Sequence, residues 1–224
     1  MERFAIRLWV PDEPGMLAAV ATRIAAVRGN VVGLEVLERS TGVAVDELVV
    51  ELPEPGLTDE LCRQLQTIAG AGIEEIRPLP PGKEERGLEV IAAAVSILET
   101  ANATASLAAL VGLTGELFSL EWSALVDLNA QAYVQCVGEV PSLDWLLAFV
   151  SGARSADTDT ARSGVMAGEL TEAGLALCIG RSVAFRRREH RELEMLVQVA
   201  DRMCRPLRGD RIPAGWGSQP RFMA

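Results

Sequence analysis

The chain has 224 residues, long for one compact domain and comfortable for two. Hydrophobic residues make up 49% and charged residues 23%, the profile of a soluble globular protein. A net charge of −10 disfavours direct contact with nucleic acid, and no apolar run reaches the ~18–20 residues of a membrane span, so the expected setting is the cytoplasm.

Residues 4–10 alternate with period two: Phe4, Ile6, Leu8 and Val10 face one way, Arg7 and Trp9 the other, as in a strand with one face on a core. No leader segment is expected, because Met1-Glu2-Arg3 runs straight into this strand. Pro11 and Pro14-Gly15 stop the strand. From Met16 to Arg28 the period becomes helical through Leu17, Val20, Ile24 and Val27, and Gly29-Asn30 closes the helix, both being residues that tolerate the left-handed region. Residues 31–39 and 43–52 read as strands around a Ser40-Thr41-Gly42 hairpin. Thr58 is the expected N-cap of a helix through Leu61, Leu65 and Ile68, and residues 73–77 supply a last strand. The order βαββαβ predicts a ferredoxin-like arrangement, four strands with two helices on one face.

Pro78-Leu79-Pro80-Pro81-Gly82-Lys83-Glu84-Glu85-Arg86-Gly87 is stiff and charged, which sets a first domain over residues 1–79, a linker over 80–87 and a second domain over 88–205. The second domain opens with a helical face of Leu88, Ile91, Ala92, Val95 and Leu98, and more helix follows to about Leu113. Strands are expected over 118–128, 131–140, 165–170 and 174–183, with a helix over 143–151, a polar loop over 152–164 and a closing helix over 188–204. Residues 206–224, rich in Gly and Pro, form an irregular tail. The fold class is α+β throughout.

The candidate site lies in the first domain. Asp12-Glu13-Pro14-Gly15-Met16-Leu17 joins strand to helix. Pro14 stiffens the turn, Gly15 lets the backbone come close to a bound molecule, and the helix start presents free N–H groups to a carboxylate. Asp12 suits an ammonium, while Asn30, beside Val31 at the next strand, offers a donor and an acceptor. Together they could hold both ends of an α-amino acid. The other reading is structural: Asp12 caps the helix and Asn30 belongs to its C-cap.

Strand, Asp-x-Pro-Gly-Met-Leu, an apolar helix, Gly-Asn-Val-Val and the βαββαβ order over residues 3–79 resemble an ACT domain. The resemblance implies a regulatory module that pairs side by side with a second copy and binds small ligands, most often amino acids, at the seam. Asp12, Glu13, Pro14, Gly15, Met16 and Leu17 then supply one element of that seam, Asn30 and Val31 the other. Residues 87–205, with Gly180-Arg181 running into Phe185-x-x-x-Glu189 and a Leu-rich last helix, resemble a GAF domain, which implies a sensor pocket or a dimerising core. Cyclic-nucleotide GAF domains carry a lysine in their Asn-Lys-Phe-Asp-Glu motif, and no lysine follows Lys83 here.

Nothing in the sequence points to catalysis. There is no Gly-x-Ser-x-Gly elbow, P-loop or dinucleotide glycine pattern, and the single histidine, His190, sits among charges at a helix start. Cys62, Cys136, Cys178 and Cys204 have no metal spacing, so neither metal nor cofactor is expected. Arg186-Arg187-Arg188 is read as a solvated helix start, and Trp122, Tyr133 and Trp145 as core. The expected function is a homodimeric sensor that binds an amino acid and signals through its second domain. The alternatives are a scaffold that binds no small molecule and an enzyme working near residues 152–164.

Overall fold

The structure is a computed structural model and describes residues 1–79, 86–153 and 164–205. The tail over 206–224, most of the linker and most of the 152–164 loop lie outside the described residues. The chain divides into two compact units, Met1–Glu85 and Arg86–Ala224.

In the first unit the elements follow the order β1 (Glu2–Pro11), α1 (Met16–Ala26), β2 (Asn30–Ser40), β3 (Val43–Leu52), α2 (Thr58–Gln66) and β4 (Gly72–Leu79). All pairings are antiparallel and the sheet order is β2-β3-β1-β4, the ferredoxin-like arrangement. Alternation in β1 sends Phe4, Ile6, Leu8 and Val10 into one core with Val20 and Ile24 of α1 and Leu61 and Leu65 of α2. Both helices therefore cover one face. On the other face buried Arg7 donates to Glu47 Oε2 at 3.0 Å.

Two helix ends differ from expectation. Thr58 is the first residue of α2 rather than its N-cap; Leu57, ending the 3-10 turn Pro55–Leu57, holds that place with no side-chain bond. At the close of α1 the left-handed residue is Arg28 (φ 59), not Gly29 or Asn30. The Gly29 N–H reaches Ile24 O at 3.0 Å and the Arg28 N–H reaches Ala25 O at 2.9 Å, a Schellman closure. Gly29 is needed for space instead: a Cβ there would lie 2.9 Å from Ile24 Cγ2 and 3.0 Å from Leu52 Cδ2.

In the second unit α3 (Arg86–Leu98) and α4 (Ala103–Phe118) precede β5 (Trp122–Asp127), β6 (Ala132–Val137), α5 (Leu143–Ala153), β7 (Val165–Leu170), β8 (Leu175–Gly180) and α6 (Arg187–Met203). The antiparallel sheet has the order β6-β5-β8-β7. One face packs on α3, α4 and α6 through Leu125, Leu177 and Ile179; the other meets Leu146 and Val150 of α5 through Val126, Ala176 and Cys178. Covered on both faces, β8 is buried throughout, which explains its unbroken apolar run.

Here too the sequence reading needs correction. Arg86 and Gly87, assigned to the linker stretch, open α3. The α3 face that packs inward is Val90, Ala93 and Ile97, whereas Leu88, Ile91, Val95 and Leu98 are exposed at 50%, 60%, 44% and 53%. The helix expected to about Leu113 is two, α3 and α4 running on to Phe118, with Asn102 Oδ1 accepting the Ala105 N–H at 2.9 Å to cap α4. Phe118, expected in a strand, ends α4 and is fully buried. Tyr133 and Trp145, expected in the core, are exposed: Tyr133 donates to Pro141 O at 2.7 Å, and Trp145 stacks on Phe149. Trp122 is half-buried against the α5 side of the sheet.

Candidate functional site

Pro11 ends β1 where the hairpin begins, and the loop is tied there by the Asp12 N–H donating to Gly42 O at 3.1 Å. Gly15 is the N-cap of α1, held at φ 92, a left-handed conformation that glycine adopts without a Cβ clash. The space where its side chain would be is open. The Met16 N–H reaches Glu13 O at 3.3 Å and the Ala19 N–H reaches Gly15 O at 3.0 Å. The amides between them, on Leu17 and Ala18, are those that a helix start leaves for an outside acceptor. Asp12, Glu13, Pro14, Gly15 and Leu17 are exposed and Met16 is half-buried, so the loop faces solvent.

Asp12 does not wait for a partner. Arg39, near the end of β2, donates from Nη2 to Oδ1 at 2.7 Å and to Oδ2 at 2.8 Å, and from Nε to Oδ2 at 3.1 Å. This two-toothed contact holds the guanidinium pKa above its ordinary value. Asn30 and Val31 lie far from it within one chain. Asn30 pairs with Glu51, and Glu51 with Arg3, so these residues mark the sheet end where β1 begins. The loop stands at the opposite end, where Pro11 pairs with Val43 and Val43 with Ser40. One copy of the fold therefore keeps the two halves of the candidate site apart.

Asp46 was missed by the sequence reading. The inward positions of β3 run Ala44, Asp46, Leu48, Val50, Leu52, and all but Asp46 join the core cluster. Asp46 pairs with inward-facing Leu8 on one side and with Val36 of β2 on the other. Its carboxyl, on a residue only 3% exposed, has Oδ1 buried with no hydrogen-bond partner among the described residues. Burial, then the charge on Asp12, raises its pKa, and Arg39 opposes them. The signal was visible in the sequence as one acid breaking an alternating apolar face.

In the second unit the charged motif is paired within itself. Arg181 binds Glu189 through Nη2 at 2.9 and 2.8 Å and donates to Phe118 O and Val183 O, while its guanidinium lies over Phe185. Arg86 joins Glu189 and Glu192, and Arg188 joins Glu192. Glu189 Oε2 also accepts the Arg186 N–H at 2.9 Å, capping α6. The Gly180-Arg181…Phe185…Glu189 pattern is thus a satisfied structural knot. Of the three consecutive arginines only Arg187 is exposed, and His190 is half-buried. Burial, with Glu169 adding to it, pushes the Cys178 thiol up to about 12, and burial with Asp201 pushes Cys204 up to about 11, so both are unreactive apolar fillers. Among the described residues no group of acids, cysteines or histidine is arranged to hold a metal, and no helix is long and apolar enough to cross a membrane.

No protein-family model matches the chain, and no curated protein matches it. An ACT domain protein from Streptococcus pneumoniae aligns at 21% identity over 34% of this chain and 89% of its own, with a TM-score of 0.29. A formyltetrahydrofolate deformylase from Pseudomonas putida KT2440 aligns at 14% identity over 43% of this chain and 38% of its own, TM-score 0.29. A protein of unknown function from Galdieria sulphuraria covers 90% of this chain and 92% of its own at 13% identity, TM-score 0.31. Likenesses this slight carry no functional argument; the α+β architecture and the ferredoxin-like sheet of the first unit rest on the topology itself.

Proposed function

We propose that this chain is a non-catalytic regulatory protein that binds a small ligand, an α-amino acid, at a seam between two ACT-like units. Its second unit would serve as a GAF-like relay. The observation that carries the reading is the edge strand β2 beside the Asp12–Gly15 loop, whose outer side meets no other strand among the described residues. β2 lies at the sheet edge and exposes Val32, Leu34 and Val36, an apolar row that a monomer leaves in water. Antiparallel pairing of two β2 strands sets the start of one beside the end of the other. Asn30 of one copy then approaches the loop of the second copy, where Arg39 grips Asp12. The separation seen within one chain becomes proximity within a pair. Ligand occupancy reaches the second unit only if the ligand favours one arrangement of the pair over another.

Calorimetric titration of the dimeric full chain with the twenty amino acids tests this; heat is expected with at least one, and none from a folded dimer overturns it. A second reading, an interaction scaffold without a ligand, is favoured by the occupied Asp12 carboxylate and by the exposed Leu88, Ile91, Val95 and Leu98 stripe of α3. Under that reading no added amino acid shifts the melting temperature of the wild-type chain, of Asp12→Ala or of Asn30→Ala.

A further inference from the structure

Two carboxylates, Asp12 and Asp46, and the Arg39 guanidinium act on one another at the loop end of the sheet. Facing residues on paired strands share a side of the sheet, so Arg39, paired with Ala44, stands on the helix face with Asp46, two residues further along β3. Such diagonal neighbours are within reach of a long side chain. Arg39 nevertheless turns its Nε and Nη2 to Asp12, and Asp46 Oδ1 stays buried without a hydrogen bond among the described residues. The charged groups acting on Asp46 are Asp12 from the loop and Arg39 from β2. The only charged residue of α1, Arg23, sits in its last turn, and Arg7 and Glu47 occupy the opposite sheet face. With both acids ionised the trio carries one surplus negative charge, and of the three groups Asp46 is the one that solvent barely reaches. A buried carboxyl in that position either keeps a proton or waits for a cation.

We propose that Asp46 is the carboxylate that receives the ammonium group of the bound ligand, while the open start of α1 receives the ligand's carboxylate. Asp12 is then a positioning residue that holds Arg39 aside. The proposal rests on the amino-acid reading above and gives it a polarity: ammonium inward on Asp46, carboxylate outward on the Leu17 and Ala18 N–H groups. A zwitterion suits both ends, since one positive charge balances the trio and one negative charge meets the helix dipole. An N-acylated amino acid satisfies only the second.

The full chain is titrated with the twenty amino acids and then, for whichever binds, with its N-acetyl derivative. Asp46→Asn is expected to weaken the free amino acid tenfold or more while leaving the affinity for the N-acetyl derivative unchanged, because that ligand has no ammonium to lose. Asp46→Thr, which puts a strand-forming residue at the same place, is expected to do the same and serves if the first variant folds poorly. Unchanged affinity for the free amino acid in a folded variant overturns this proposal and leaves the amino-acid reading standing. No heat from the folded wild-type chain with any of the twenty overturns both.

Discussion

Arg28 and Asp46 each occupy a position that their residue type resists. Arg28 carries a φ of 59 at the close of α1, a conformation whose Cβ contact costs about 1 kcal/mol for a residue other than glycine. Arg28→Gly removes that cost and keeps the Schellman bonds, while adding some freedom to the unfolded chain. A net stabilisation of roughly 0.5 kcal/mol is expected as a higher urea midpoint; a lower midpoint would show that the arginine side chain contributes more than its backbone costs. For Asp46 the sign follows from its raised pKa. Between its ordinary value of 3.8 and its value in the fold, the native state holds a proton that the unfolded chain has released. The stability this group contributes is therefore complete below that ordinary value and declines as pH rises through the folded one. Asp46→Asn abolishes the decline, so the variant is expected to be the more stable protein at neutral pH. Urea midpoints across the acidic range read this directly, and parallel curves for wild type and variant would refute it.

At the scale of elements, β2 and α6 show two ways in which a segment meets its surroundings. β2 departs from ideal register twice, with bulges between Val31 and Gly33 and between Val36 and Glu38, which twist an edge strand without pairing it. α6 is anchored at its first turn by Glu189, fully buried and shared by Arg181, Arg86 and its own cap. Removing one member of such a buried group leaves the others uncompensated, at about 3 kcal/mol or more. Glu189→Gln is thus expected to lower the stability of the second unit by that order, whereas exposed Glu194→Gln, on the same helix, changes it little. Equal effects in a denaturant series would mean that the buried network contributes no more than a surface charge. The sequence showed the helical period of α6 and the charges at its start. It did not show which charges were inside, because Arg86 lies 106 residues from Glu192.

For the whole molecule, the two units have separate cores, one built around Ile6, Val20 and Leu61 and the other around Leu110, Leu177 and Leu196. Separate cores imply separately cooperative transitions. Calorimetry is expected to resolve two endotherms, with Glu189→Gln moving one and Arg28→Gly the other; a single transition shifted by both substitutions would show that the units unfold as one.

The order of elements, the hairpin at Ser40–Gly42, the buried β8 run and the exposed turn around Gly15 were all legible in the sequence, since periods of two and 3.6 and the conformational habits of glycine and proline are local properties. Contacts between distant segments were not. Helix α3 carries two apolar stripes, and periodicity cannot tell that Val90, Ala93 and Ile97 face inward while Leu88, Ile91, Val95 and Leu98 face water. Asp12 reads as a free acceptor until Arg39, 27 residues on, is folded against it. Asp46 reads as a stray acid in a strand until the register sets it beside Leu8, buried and short of a hydrogen bond. The fold of the first unit was thus determined by local pattern. The chemistry of its site was decided by tertiary structure, because whether a carboxylate is paired, buried or available depends on which charges the finished sheet brings within a few ångströms of it.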